Sequence, residues 1–403
     1  MPGRLSLSLT NALLPIHSVE TLDEAMGPVV YDERLVFWET RLAAEYTLTR
    51  SLAVGAAFPY RVVDVDVANS DPATGDPITV TNVHARNETL TGVGDPSVSA
   101  HLATDAAGLH VHARIGTSLP LGRTEEDPHL LGSLGQEHEH IQLGTGTFIP
   151  FVSVEAQRGF GKVVGAAWAL AHLSLYDNDH GYRAGDRYSG GLTAASGLGL
   201  RRWTFGVALE GHGETGETWQ GVVHRDEGNA GRFDLMAGAN VAWRPVDHLA
   251  VILDAKLPVY TYVDGPQLDY GLIVGIGIAA TFDLKPRASW HGLDEKVVAD
   301  AGVAAELVPV PGKITVFDLW AEWCAPCREL DDRLAAIARA HPDKLAVRKL
   351  DVVDTDSAAW ERYMAPKQFD LPHVKVYGAD GALLFERSAP PAELARAVEE
   401  VLR

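Results

Sequence analysis

The only two cysteines in this chain of 403 residues are Cys324 and Cys327. Two residues separate them, a spacing suited to one reaction. One sulfur attacks a partner's disulfide and the other then releases the mixed disulfide, which is thiol–disulfide exchange. From Pro326 to Ala340 the apolar residues Leu330, Leu334, Ile337 and Ala338 fall on one helical face. Just ahead of such a helix, Cys324 meets free backbone N–H groups and the positive end of the helix dipole, both of which stabilise a thiolate. Cys324 is therefore expected to attack, and Cys327, one turn in, to be the more buried resolving thiol. Pro326 suits the first turn, where its missing N–H is no loss. The competing chemistry is half of a zinc site, but zinc takes about four ligands, and the sequence has no second cysteine pair.

The elements that must position the pair can be read around it. Ile314–Trp320 is a strand of the buried type, and Leu345–Val352 is a second. Val374–Tyr377 and Ala382–Glu386 form a hairpin turning at Ala379-Asp380-Gly381. A closing helix over Pro391–Leu402 carries Leu394, Val398, Val401 and Leu402 in register. The order βαβ followed by ββα, with Phe317-Asp318-Leu-Trp-Ala-Glu-Trp323-Cys324-Ala325-Pro326-Cys327 at the first strand–helix junction, resembles the thioredoxin family over about residues 303–403. The departure is Ala325, where that family typically carries Gly. The resemblance implies an α/β thioredoxin fold in which Asp318 is a buried acid moving protons to and from Cys327, with Lys349 as its partner. It implies that Leu371-Pro372 is a cis-proline loop facing the sulfurs, and that Trp323, Ala325, Pro326, Leu371 and Pro372 meet an extended substrate. No cofactor is expected beyond the Cys324–Cys327 disulfide.

Residues 3–282 are a different object. Leu272, Val274, Ile276, Ile278, Ala280 and Phe282 alternate with Gly271, Gly275, Gly277, Ala279 and Thr281. Phe233, Leu235, Ala237, Ala239, Val241 and Trp243 alternate with Asp234, Gly238 and Asn240. Such period-two segments number about twelve and match the ~9–11 residues that cross a bilayer at a tilt. They lie near 3–10, 34–48, 51–65, 94–104, 109–119, 146–157, 162–174, 188–199, 202–211, 232–243, 248–260 and 270–282. Short links alternate with long ones near 11–33, 66–93, 120–145, 175–187, 212–231 and 261–269, the outer-membrane pattern of short periplasmic turns and long outer loops. Both ends of the barrel then lie on the short-turn side, which puts the redox domain in the periplasm.

Gly92-Val-Gly-Asp95-Pro, Leu119-Pro-Leu-Gly122 and Gly144-Thr-Gly146, with a last strand ending on Phe282, resemble the outer-membrane transporter family named for phenol-degradation pathways. The expected architecture is multidomain: an all-β antiparallel barrel over residues 1–284, a linker over 285–304 and the thioredoxin-like domain over 305–403. No run approaches the ~20 apolar residues of a membrane helix. Met1-Pro-Gly-Arg-Leu-Ser shows no signal-peptide pattern, although this reading needs export. A soluble β-domain joined to a redox domain is thus an alternative, as is a channel for small hydrophobic solutes or metal ions with the redox domain as accessory.

A net charge of −20 argues against nucleic acid. The expected partners are periplasmic protein thiols and disulfides, an electron donor, outer-membrane lipid and a small solute in the barrel. His129, His138 and His140 crowd one loop as metal ligands could, though a polar outer loop that happens to carry histidines is the favoured reading. His110 and His112 share a strand face that would line the lumen. Glu39, Arg41, Glu45, Arg61, Glu210, Asp254 and Lys256 point inward, either to select solutes or to pair across a filled lumen.

Overall fold

In a computed structural model of the chain, residues 3–24, 27–49, 51–79, 87–106, 108–200, 202–225, 228–246, 248–264, 269–284, 289–322 and 324–403 are described. The chain divides into two compact units at Phe282/Asp283.

The first unit is a closed antiparallel barrel of twelve long strands. They are β1 (Arg4–Glu24), β2 (Gly27–Thr47), β3 (Leu52–Ser70), β4 (Ser97–Ala106), β5 (Leu109–Ser118), β6 (Pro150–Phe160), β7 (Val163–His172), β8 (Arg187–Ser196), β9 (Trp203–Thr215), β10 (Gly231–Val246), β11 (Leu249–Val263) and β12 (Ile273–Asp283). Each strand pairs with its neighbour in sequence, and β1 closes the ring by pairing with both β2 and β12. Closure leaves no strand edge to template aggregation.

The parity read from the sequence is the parity of the wall. On β10 the face that carries Phe233, Leu235, Ala237, Ala239, Val241 and Trp243 is apolar, while the other carries Asp234 and Asn240. Outward residues such as Leu42, Ile115, Leu192, Val207, Leu253, Leu257 and Ile276 are exposed.

The long link expected at 11–33 is instead strand, and the ends of the one expected at 66–93 are strand as well. β1 and β2 stay paired from Leu5↔Tyr46 to Glu24↔Gly27 without a register break, and β3 runs on to Ser70. Near the far end of the hairpin Ile16, Val29, Tyr31 and Leu35 are buried, so the extended hairpin has a packed side of its own. Its apolar residues are diluted by Pro15, His17, Asp32 and Arg34, which hid the strands from a reading tuned to uniform apolar alternation.

The second unit is a five-stranded sheet with helices. Its strands are β13 (Glu295–Val297), β14 (Ile314–Trp320), β15 (Leu345–Asp351), β16 (His373–Tyr377) and β17 (Leu383–Ser388), in the order β13-β15-β14-β16-β17. β13 and β14 flank β15 in parallel; β16 and β17 run antiparallel. α2 (Ala325–Ala340) and α3 (Pro391–Leu402) bury Leu330, Leu334, Leu394 and Val398 against Val316, Val347, Val374 and Val376. Each such side chain contributes about 1.5–3 kcal/mol by leaving water.

Part of the stretch read as a linker belongs to this unit. β13 covers an edge of β15 that would otherwise stand unpaired, and Val347 N–H donates to Asp294 O at 2.9 Å. Asp294 takes Arg348 at 2.8 Å and Lys313 at 2.8 Å, and Trp290 and Leu293 pack on the core. The segment is short and mixed in polarity, so only the non-local pairing with β15 reveals it.

Candidate functional site

The strand β14 leads directly to the cysteines. Cys324 is the N-cap of α2, with extended backbone, and its Sγ accepts the N–H of Cys327 at 3.1 Å. This is the position at which a helix end favours negative charge on sulfur. Pro326 lies in the first helical turn. Cys324 and Cys327 are joined in a disulfide, with Cα atoms 5.3 Å apart. Their exposures are 2% and 1%, so burial does not separate the two sulfurs as the sequence led one to expect. Both belong to an apolar cluster with Phe317, Leu319, Leu350 and Met364, against which Leu371 packs. The peptide Leu371–Pro372 is cis. Trp323 lies outside the described residues, and Ala325 is placed here only as the first residue of α2.

Asp318 sits in the middle of β14 and is fully buried. Neither carboxylate oxygen has a hydrogen-bond partner among the described residues. Burial pushes its pKa up to about 7; the Lys349 charge opposes this and Asp331 adds to it. An acid with such a pKa can hold or release a proton near neutrality.

Lys349 lies opposite Asp318 in the β14–β15 register, but its ion pair is elsewhere. Its Nζ donates to Asp331 Oδ1 on α2 at 2.6 Å, and the same oxygen accepts Trp290 Nε1–H at 3.0 Å. The ammonium lies 5.7 Å from the Trp290 ring centre and 5.5 Å from that of Trp320. Lys349, the expected partner of Asp318, thus acts on it through charge and not through a hydrogen bond. A long lysine on a strand can reach the helix packed above it, a contact that no local pattern announces.

His373, directly after the cis-proline, also carries no local signal. It is buried, stacks on Phe369 with ring centres 4.1 Å apart and shares a hydrogen bond of 3.0 Å with Ser388 Oγ. Burial pushes its pKa down to about 4, so it is neutral at physiological pH.

In the barrel, the inward charges pair with one another. Glu39 takes Arg41 at 2.8 Å and Arg61 at 2.9 Å, while Glu210 takes Lys256 at 2.6 Å and His212 at 3.2 Å. His112 meets Gln157 across the wall at 3.1 Å, and His110 meets Asp105. The three short glycine motifs come together at one side chain. Asp95 accepts the Gly122 N–H at 2.9 Å, and both the Thr145 N–H and hydroxyl at 2.7 Å. Gly122 and Gly144 approach so closely that a Cβ on Gly144 would stand 2.5 Å from the Cα of Gly122. This knot holds the link between β5 and β6 against the inner wall. Leu143 packs on Val63, and Arg61 donates to Leu143 O at 2.8 Å.

The same link includes α1 (Pro128–Ser133) and the histidines. His138 and His140 have ring centres 5.1 Å apart, and His129 and His140 5.4 Å. His224, from the link between β9 and β10, stacks on His129 at 3.5 Å. No group of three or more such side chains among the described residues is arranged to hold a metal ion. Stacked imidazole planes direct their nitrogens side by side and not toward a common point.

These two units define a barrel joined to a disulfide-bearing thioredoxin fold. Residues 301–365 match the thioredoxin family, and the C-terminal unit is a thioredoxin domain. Thioredoxin from Rhodospirillum rubrum is 39% identical over 57 residues, which are 14% of this chain and 54% of the relative. Thioredoxin-1 from Drosophila melanogaster is 39% identical over 51 residues, 13% of this chain and 47% of the relative. The chain thus spans about half the length of these curated relatives. Among solved structures, the germline-specific thioredoxin Deadhead from Drosophila melanogaster is 26% identical, covering 22% of this chain and 82% of that one, with a TM-score of 0.19. An outer membrane channel from Pseudomonas putida F1 aligns over 70% of this chain and 97% of its own at 13% identity, with a TM-score of 0.47.

Proposed function

We propose that this protein is an outer-membrane barrel carrying a periplasmic thioredoxin domain that exchanges dithiol for disulfide on other proteins. The observation that carries the redox part is Cys324 at the N-cap of α2, its sulfur on the Cys327 N–H and already joined to Cys327. In the reduced state Cys324 attacks a substrate disulfide. Cys327 then gives up its proton to Asp318, attacks the mixed disulfide, and leaves the Cys324–Cys327 disulfide with the substrate reduced. The reverse sequence oxidises a substrate dithiol. Leu371-Pro372 receives the extended substrate backbone near Pro326 at the start of α2. The redox centre needs no cofactor, and a separate electron donor resets it.

The membrane part rests on the barrel's outer surface. Phe233 and Trp243 mark the two ends of an apolar face on β10. Ten residues at about 3.3 Å each, tilted by about 40°, rise about 25 Å, the height of the apolar band of outer-membrane barrels. Trp243 pairs with Trp203, their ring centres 6.0 Å apart, as members of an aromatic girdle. A continuous apolar belt of this extent far exceeds the few hundred Å² a soluble monomer leaves exposed. β12 ends beside the turn between β10 and β11, where Thr281 N–H donates to His248 O at 2.9 Å. Short turns of this kind face the periplasm, so the chain enters the redox domain on that side.

The test is insulin disulfide reduction by the full chain in detergent, with Cys324→Ser as control. Turnover equal in the two, or absent from the wild type, defeats the exchange reading.

A further inference from the structure

Asp331 stands on α2 one turn beyond Cys327 and faces the strand that carries Lys349. Its Oδ1 receives two donors, Lys349 Nζ at 2.6 Å and Trp290 Nε1–H at 3.0 Å. Lys349 is further confined between the rings of Trp290 and Trp320. Asp318 lies opposite Lys349 in the sheet, yet both its oxygens lack a partner among the described residues. The cation that faces Asp318 across the sheet is thus engaged by a second acid, and an indole from the segment preceding β13 fixes that acid.

We infer that Asp331, held by Trp290, is a positioning residue that keeps the Lys349 ammonium off Asp318, so that Asp318, once ionised, is base enough to take the proton of the resolving thiol. The inference rests on the exchange reading given above. Physically, a nearby anion disfavours a second negative charge, and the ammonium drawn to Asp331 makes no hydrogen bond to the buried carboxylate. Burial is the largest cause of the raised pKa of Asp318, about 7; the Lys349 charge opposes it and Asp331 adds to it. Proton balance in the resolving step is simple. Cys327 S–H gives its proton to ionised Asp318, the Cys327–Cys324 bond forms as the substrate–Cys324 bond breaks, and the substrate thiolate takes a proton from water. The proton on Asp318 is returned when the disulfide is next reduced.

The experiment uses the full chain in detergent, with aspartate labelled at the carboxyl carbon and the Asp318 signal assigned by its loss in Asp318→Asn. Its titration midpoint is read by NMR, and the pH profile of insulin reduction is read in parallel. Asp331→Asn is expected to lower both midpoints by about one pH unit or more, the usual effect of exchanging an anionic neighbour for access to a cation. Asp331→Glu, which keeps the charge, is expected to leave them near wild type. Asp331→Ser serves if the Asn variant does not fold. An Asp318 midpoint unchanged in Asp331→Asn and Asp331→Ser overturns the inference. A midpoint that falls while the wild type shows no insulin turnover upholds the hold on Lys349 and defeats the exchange reading alone.

Discussion

At the scale of single residues, the redox site is a contest between burial and charge, and burial prevails at Asp318. Its folded pKa of about 7 lies above the value near 3.8 of a free carboxyl. The folded protein therefore holds a proton that the unfolded chain has lost between about pH 4 and pH 7, and stability falls as pH rises through that window. The loss is at most about 4 kcal/mol if the carboxylate stays dry once ionised. Asp318→Asn removes the titration. It is expected to make β14 more resistant to denaturant than wild type at pH 8 and about equal at pH 4, as read by hydrogen exchange of that strand. A larger gain at pH 4 than at pH 8 would contradict this sign. Cys324→Ser, by contrast, is expected to abolish exchange with little change in fold.

Among elements, the informative one is the link between β5 and β6. Its place against the barrel wall depends on Asp95, whose three hydrogen bonds converge from Gly122 and Thr145. Bonds to an ionised group contribute about 1.5–3 kcal/mol each. Asp95→Ala is expected to release the link, making residues 119–149 more sensitive to added protease and raising conductance in planar bilayers. Gly144→Ala should do the same, because its Cβ would collide with the Gly122 backbone. Unchanged cleavage and conductance in both would mean that the link is held elsewhere. The separate pieces of this knot were visible in the sequence as glycine motifs, but their meeting was not, because it joins residues 50 positions apart. The same limit applies to Trp290 on Asp331 and to His224 on His129. Alternating patterns such as Phe233 to Trp243 were legible because each residue's face is set locally by the strand period. The cysteine pair was legible because its spacing and the helix behind it are both local.

For the whole molecule, the question is which solvent surrounds the barrel. Leu253 is outward and near mid-wall, paired with Val241 and Ile276. In a lipid-facing wall Leu253→Arg should cost about 2–4 kcal/mol, whereas on a water-facing surface such a change is usually within about 0.5 kcal/mol. Urea titration of refolding into lipid vesicles separates the two, and an effect near zero would return the barrel to water. The β1–β2 hairpin adds a consequence of a different kind. With 21 residues in each strand, at about 3.3 Å each and a tilt of about 40°, it rises roughly 50 Å along the axis, twice the apolar band. On the proposed placement its tip clears the lipid and stands among the sugars that coat the cell. An epitope inserted between Glu24 and Gly27 would then be within reach of antibodies on intact bacteria. The protein would carry a visible address outdoors for a redox centre working behind the wall.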